Sequence, residues 1–145
     1  MDEQIRRSNK FLSGIHMGNH IFKEYYNIAH DDELKDTLLE IIDLFLEHKE
    51  KMQKAISDLG GDPTDKLTFL EQIGSFIEKI KIMNVDDDFT ICKYAIEAIT
   101  MGIVGANEVI HQNRDLCDSI KNVIYDIEKD YDNILTKIKV LMKKY

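Results

Sequence analysis

Leu59-Gly60-Gly61-Asp62-Pro63 is a strong helix stop. Glycine takes the left-handed conformation that closes a helix, and proline cannot continue one. Before the stop, Leu38, Ile41, Ile42, Phe45, Met52, Ile56 and Leu59 fall on one helical face, so the spacing predicts a helix from about Glu33 to Leu59. Upstream, His30-Asp31-Asp32 breaks a second apolar line of Phe11, Ile15, Phe22, Tyr26 and Ala29, which predicts a helix from Glu3 to Ala29. Asp31 or Asp32 can cap the helix that follows, because a carboxylate accepts from free N–H groups at a helix start.

Beyond the stop, residues 61–88 form a long connection with its own pattern. Leu67, Leu70, Ile73, Ile77 and Ile80 keep helical spacing, and Thr68-x-x-Glu71 has the form of a capping box. A short amphipathic helix is expected there, followed by a turn from Asn84 to Asp88. Two further helices follow, from Phe89 to Gln112 and from Leu116 to Lys143, the last capped by Asp115. Its inward line is Ile120, Val123, Ile124, Ile127, Tyr131, Ile134, Ile138 and Leu141.

Tight joints make helices one and two antiparallel neighbours, and helices three and four likewise. The expected fold is all-α: one four-helix bundle domain over 1–145, built as a hairpin (1–60), a crossover (61–88) and a second hairpin (89–145). Each main helix spans about 36–42 Å by its rise per residue, so the crossover must run the length of the bundle. A faint internal repeat supports two related halves. Met17-Gly18 with Glu24 matches Met101-Gly102 with Glu108, and at a slightly shorter offset Phe45 matches Ile127, His48 matches Asp130 and Lys49 matches Tyr131.

The bulk numbers bound the function. Hydrophobic residues are 43% and charged residues 32%, a globular balance. The formal net charge of −8 argues against nucleic acid, whose phosphates it repels. The only basic clusters are Arg6-Arg7 and Lys143-Lys144. Cys92 and Cys117 lack C-x-x-C spacing and suit small buried residues in a reducing compartment. No signal-peptide core or run of about 20 apolar residues is evident. A cytoplasmic protein with no membrane partner is expected.

Met17-Gly18, the Leu59 to Pro63 stop and Met101-Gly102 together give the whole chain a resemblance to the ferritin-like superfamily. It is most similar to small rubrerythrin-related bacterial bundles of uncharacterised function. The resemblance implies a bundle with two core metal ions and sometimes peroxide or oxygen chemistry. Such a centre takes one glutamate from each of two helices and a Glu-x-x-His pair from each of the others, since i and i+3 share a face.

Here those slots are altered. Helix two offers Phe45-x-x-His48 and helix four Ile127-x-x-Asp130, while helix one presents Gly18, Phe22 and Tyr25 with no inward carboxylate. The di-metal site therefore reads as eroded. Lys49 lies near the middle of the apolar line, either snorkelling to water or neutralising Asp130, with Tyr131 opposite. His16, His20 and Glu24 form an i, i+4, i+8 stripe that can bind a transition metal but suits a solvated face. Glu108-x-x-His111 lies on the less apolar side of helix three, and Glu47-x-x-Glu50 faces outward.

Helix three is apolar nearly all round, with Ala98, Gly102, Gly105 and Ala106 permitting close approach. That predicts a homodimer or protein partner through this helix. No nucleophile elbow, cysteine–histidine pair or phosphate loop is present. The expectation is a structural or interaction protein with no cofactor, not an enzyme. The alternative is a metal-binding, rubrerythrin-like protein of iron handling or oxidative-stress defence. It would use His20, Glu24, His48, Glu108, His111 or Asp130 for iron, manganese or zinc. A third reading, a small-molecule or lipid binder, requires a pocket between the helices.

Overall fold

The computed structural model describes residues 2–65, 78 and 87–145. Among them are four helices and no strand: α1 (Asp2–Ile28), α2 (Asp32–Asp58), α3 (Asp88–Gln112) and α4 (Asp118–Met142). The expected crossover helix and the Asn84 to Asp86 part of its turn lie outside the described residues.

The ends follow local chemistry. Asp31 caps α2, its carboxylate accepting from the Leu34 N–H at 3.3 Å. Asp87 caps α3 through Thr90. At the α2 stop Gly60 takes φ +84°, and the Gly60 and Gly61 N–H groups donate back to Ser57 and Ile56. That is the Schellman pattern, and it satisfies carbonyls the helix leaves open.

The start of α4 departs from expectation. It begins at Asp118 with Cys117 as N-cap and no side-chain cap bond; Asp115 lies outside. The Cys117 N–H donates instead to Gln4 Oε1 at 3.1 Å, so the other hairpin satisfies it.

α1 packs most closely on α2 and α3 on α4, with α1–α3 and α2–α4 contacts joining the pairs. Polar side chains tie each turn to the opposite hairpin. Asp88 accepts from the His30 and Asp31 N–H groups at 3.0 and 2.8 Å. At the far end Arg7 donates to the Gln112 carbonyl and to Asn113 Oδ1. Thus α1 runs antiparallel to α3. α2 and α3 both start beside the α1–α2 turn, and α2 ends where Gly61 meets Ile5 and Asn9 reaches the Asp62 carbonyl. The connection therefore leaves one end of the bundle and arrives at the other.

The core contains most of the predicted lines: Phe11, Ile15, Phe22 and Ala29 of α1, Leu38, Phe45 and Met52 of α2, and Ile120, Ile124, Ile127, Tyr131, Ile134, Ile138 and Leu141 of α4. Tyr26 and Val123 are partly buried, and Leu12, outside the predicted line, is fully buried. By length and composition α3 could cross a membrane, which corrects the expectation that no apolar run reaches that size. In the bundle α3 packs against α1 and α4 and leaves Met101 and Val104 about half exposed, at 49% and 51%.

Candidate functional site

The middle of the bundle is built from two glycines and two aromatic rings. A Cβ added to Gly18 would lie 2.8 Å from the Phe45 ring, and one added to Gly102 would lie 2.9 Å from the Tyr131 ring. Real Cβ atoms do not come that close, so only glycine lets each ring approach the opposing helix as it does. The two rings meet at 5.9 Å between centroids, and Phe22 stands 5.4 Å from Phe45.

This explains the repeated Met-Gly pairs. It also corrects the internal match: Phe45 corresponds in place to Tyr131, not to Ile127, because each packs on a glycine across its own hairpin. Burial pushes the Tyr131 hydroxyl well above the usual phenol range, and the Asp130 charge adds to that.

Next to the rings lies a polar pair, a buried histidine and a half-buried aspartate. His48 is fully buried, and its Nε2 stands 2.8 Å from Asp130 Oδ2. A carboxylate only accepts, so the ring nitrogen donates. Burial holds the imidazole below its usual range; the hydrogen bond and charge of Asp130 act the other way but less. His48 Nδ1 is buried with no hydrogen-bond partner among the described residues. Tyr131 covers the ring edge-on at 5.3 Å. Lys49 is half-buried and makes no ion pair with Asp130, whose described partner is His48.

A cavity of about 240 Å³ opens between α1 and α3. Phe11, Ile15, Phe22, Ile99 and Val109 make its apolar walls, with Phe45 and Tyr131 behind. Arg7, Lys10, Glu108 and Gln112 stand at its polar end.

Of the residues expected at a site, the structure joins only His48 and Asp130. His20 is exposed and Glu24 half-buried on α1, while Glu108 and His111 are exposed on α3. His16 contacts the Thr64 carbonyl at 3.0 Å. Among the described residues no three His, Cys, Asp or Glu side chains converge as a metal would require. Cys92 is buried and its thiol is pushed up to about 11 by burial, with nearby Asp88 and Asp31 adding to it; Cys117 is half-buried.

The sequence reading missed Asp88, Gln4 and Arg7, three of the side chains that tie the hairpins together. Their partners lie 57 or more residues away, so no local pattern marks them. It also missed the cavity, although Gly14, Gly18, Gly102 and Gly105 were signals for it.

A family model described as a domain of unknown function (DUF2383) matches residues 5–112, which span α1, α2 and α3. No curated protein and no solved structure matches.

Proposed function

The chain belongs to the DUF2383 family, and from that premise we propose that it is a ferritin-like bundle whose di-metal centre has given way to an aromatic core. It then works as a structural or interaction protein and not as an enzyme. One observation carries this reading. Gly18, Phe45, Gly102 and Tyr131 meet at the middle of the bundle, where a di-metal protein needs four inward carboxylates, and none of the four can ligate iron or manganese through a carboxylate.

The residues present do not fit a two-metal centre. His48 and Asp130 supply two donors, and they are bonded to each other. The remaining expected ligands do not join them: His20 and His111 are exposed, Glu24 is half-buried on α1, and Glu108 stands at the end of the cavity between α1 and α3. The work of such a bundle lies on its surface. The exposed Met101 and Val104 on α3 make the strip that a second copy or another protein would cover.

The test is elemental analysis of protein purified after growth with iron, manganese and zinc, together with its melting temperature before and after those ions are added. The expected result is no stoichiometric metal and an unchanged melting temperature, since a ligand that does not bind the folded state cannot stabilise it. Two metals per chain would sink the proposal. One metal per chain, lost on His48→Ala, would favour the metal-handling alternative.

A further inference from the structure

The residues that follow α4 reach back across the bundle and close on one carboxylate. The N–H groups of Lys143, Lys144 and Tyr145 donate to the carbonyls of Val140, Leu141 and Met142, a single tight turn. From that turn the Tyr145 hydroxyl donates to Asp31 Oδ2 at 2.7 Å. The Lys144 ammonium donates to both Asp31 oxygens at 3.2 and 3.0 Å and to Glu33 at 3.0 Å. Asp31 already caps α2 by accepting from the Leu34 N–H, and its own N–H is held by Asp88 at 2.8 Å. One residue of the α1–α2 turn therefore joins the start of α2, the start of α3 and the end of α4.

Cys92 lies at this junction. It stands one turn after Asp88 on the buried face of α3, and it is fully buried. Burial and Asp31 hold the Tyr145 hydroxyl well above the usual phenol range, and Cys92 and Asp88 are near enough to add to that. Tyr145, Asp31, Asp88 and Cys92 thus form a line of neighbours from an exposed ring to a buried thiol. The two halves of that line differ in kind. Asp88 is fixed by backbone donors inside the bundle, whereas residues 143–145 are held to it by two side chains at the end of a helix. Helix ends open at far lower cost than the whole fold.

We propose that residues 143–145 are a releasable strap over Cys92: closed on Asp31 it seals the thiol, and its local release opens the thiol to solutes while the four helices stay packed. Tyr145 is the lever. Removing its hydroxyl, or setting negative charge beside Asp31 and Glu33, opens the strap. The strap lies apart from the aromatic centre and does not depend on whether the bundle holds metal.

The test follows labelling of Cys92 by a pyridyl disulfide in the full chain carrying Cys117→Ser, a change that leaves a preferred capping residue at the start of α4. In this parent chain the expected result is slow labelling at a rate nearly flat below about 1 M urea, because local opening exposes little surface. Tyr145→Phe is expected to raise that rate about tenfold, the size of one lost hydrogen bond to a charged group. Tyr145→Glu should raise it at least as much. Asp31→Asn keeps the α2 cap, since asparagine caps as well as aspartate, and is expected to act like Tyr145→Phe. Lys54→Ala breaks an exposed ion pair at the other end of α2 and should leave the rate unchanged. Parent labelling as fast as a free thiol would mean that Cys92 is not sealed. A rate climbing steeply from zero urea would mean that it opens only with the whole bundle. Tyr145→Phe and Asp31→Asn rates equal to the parent's would mean that another group seals it. Each of these results overturns the proposal.

Discussion

His48 is buried with one ring nitrogen bonded to Asp130 and the other without a partner among the described residues. Protonation would place a second N–H on Nδ1 with no acceptor, so the folded state favours the neutral ring. Its folded pKa lies below the unfolded value near 6.5. Unfolding therefore takes up a proton, and acid promotes it. The stability His48 contributes is complete above about pH 6.5 and is lost as pH falls from there to the lowered folded value, below which it is flat. Denaturant melts of wild type and His48→Leu across this window should show a slope that the variant lacks; parallel curves would refute the assignment.

The glycines give a second contrast at this scale. Gly18→Ala and Gly102→Ala push a methyl into a packed ring and should cost about 1–3 kcal/mol by overpacking. Gly14→Ala and Gly105→Ala meet open space among the described residues and should stabilise by about 0.5–1 kcal/mol. Chemical denaturation of the four variants checks the signs, and a stabilising Gly18→Ala would remove the account of the aromatic centre.

At the scale of elements, each hairpin turn depends on the other hairpin. Asp88 is buried at the first residue of α3 and accepts two N–H groups from the α1–α2 turn. Replacing it with alanine leaves two donors in a half-buried place without their acceptor. Asp88→Ala should cost about 1–3 kcal/mol, and Asp88→Asn less, because an amide oxygen can serve one of the two. Amide exchange at His30 and Asp31 is the direct readout. If exchange there stays as slow in Asp88→Ala as in wild type, Asp88 does not hold the turn.

At the scale of the whole molecule, charge is the unbalanced quantity. The net charge is −8, and the described ion pairs, such as Lys54–Asp58 and Lys137–Glu40, are exposed. Exposed pairs contribute little, about 0–1 kcal/mol each at most. Screening therefore relieves more repulsion than it removes attraction. The melting temperature should rise as sodium chloride is raised from low ionic strength to about 0.15 M. A fall would mean that the surface pairs act as a stabilising network.

The helices were legible from residue order alone. Apolar period, Asp31, the Gly60 stop and the Tyr131 row on α4 are local facts, and local chemistry produced the elements where those signals stood. That Gly18, Phe22 and Tyr25 face inward on α1 was legible too, because a helical face is a property of one segment. What sequence could not supply was anything that depends on two distant segments meeting. Asp115 looked like a cap until Gln4, brought from the other hairpin, took the Cys117 N–H. Lys49 was open between snorkelling to water and neutralising Asp130, and only the fold showed that His48, from the other hairpin, is bonded to that carboxylate. Phe45 was matched with Ile127, and only the glycine opposite each ring showed that its counterpart is Tyr131. The cavity between α1 and α3 was equally invisible. Periodicity says which way a side chain points, while the cavity beside Gly14 and Gly105 exists only once two helices are set side by side.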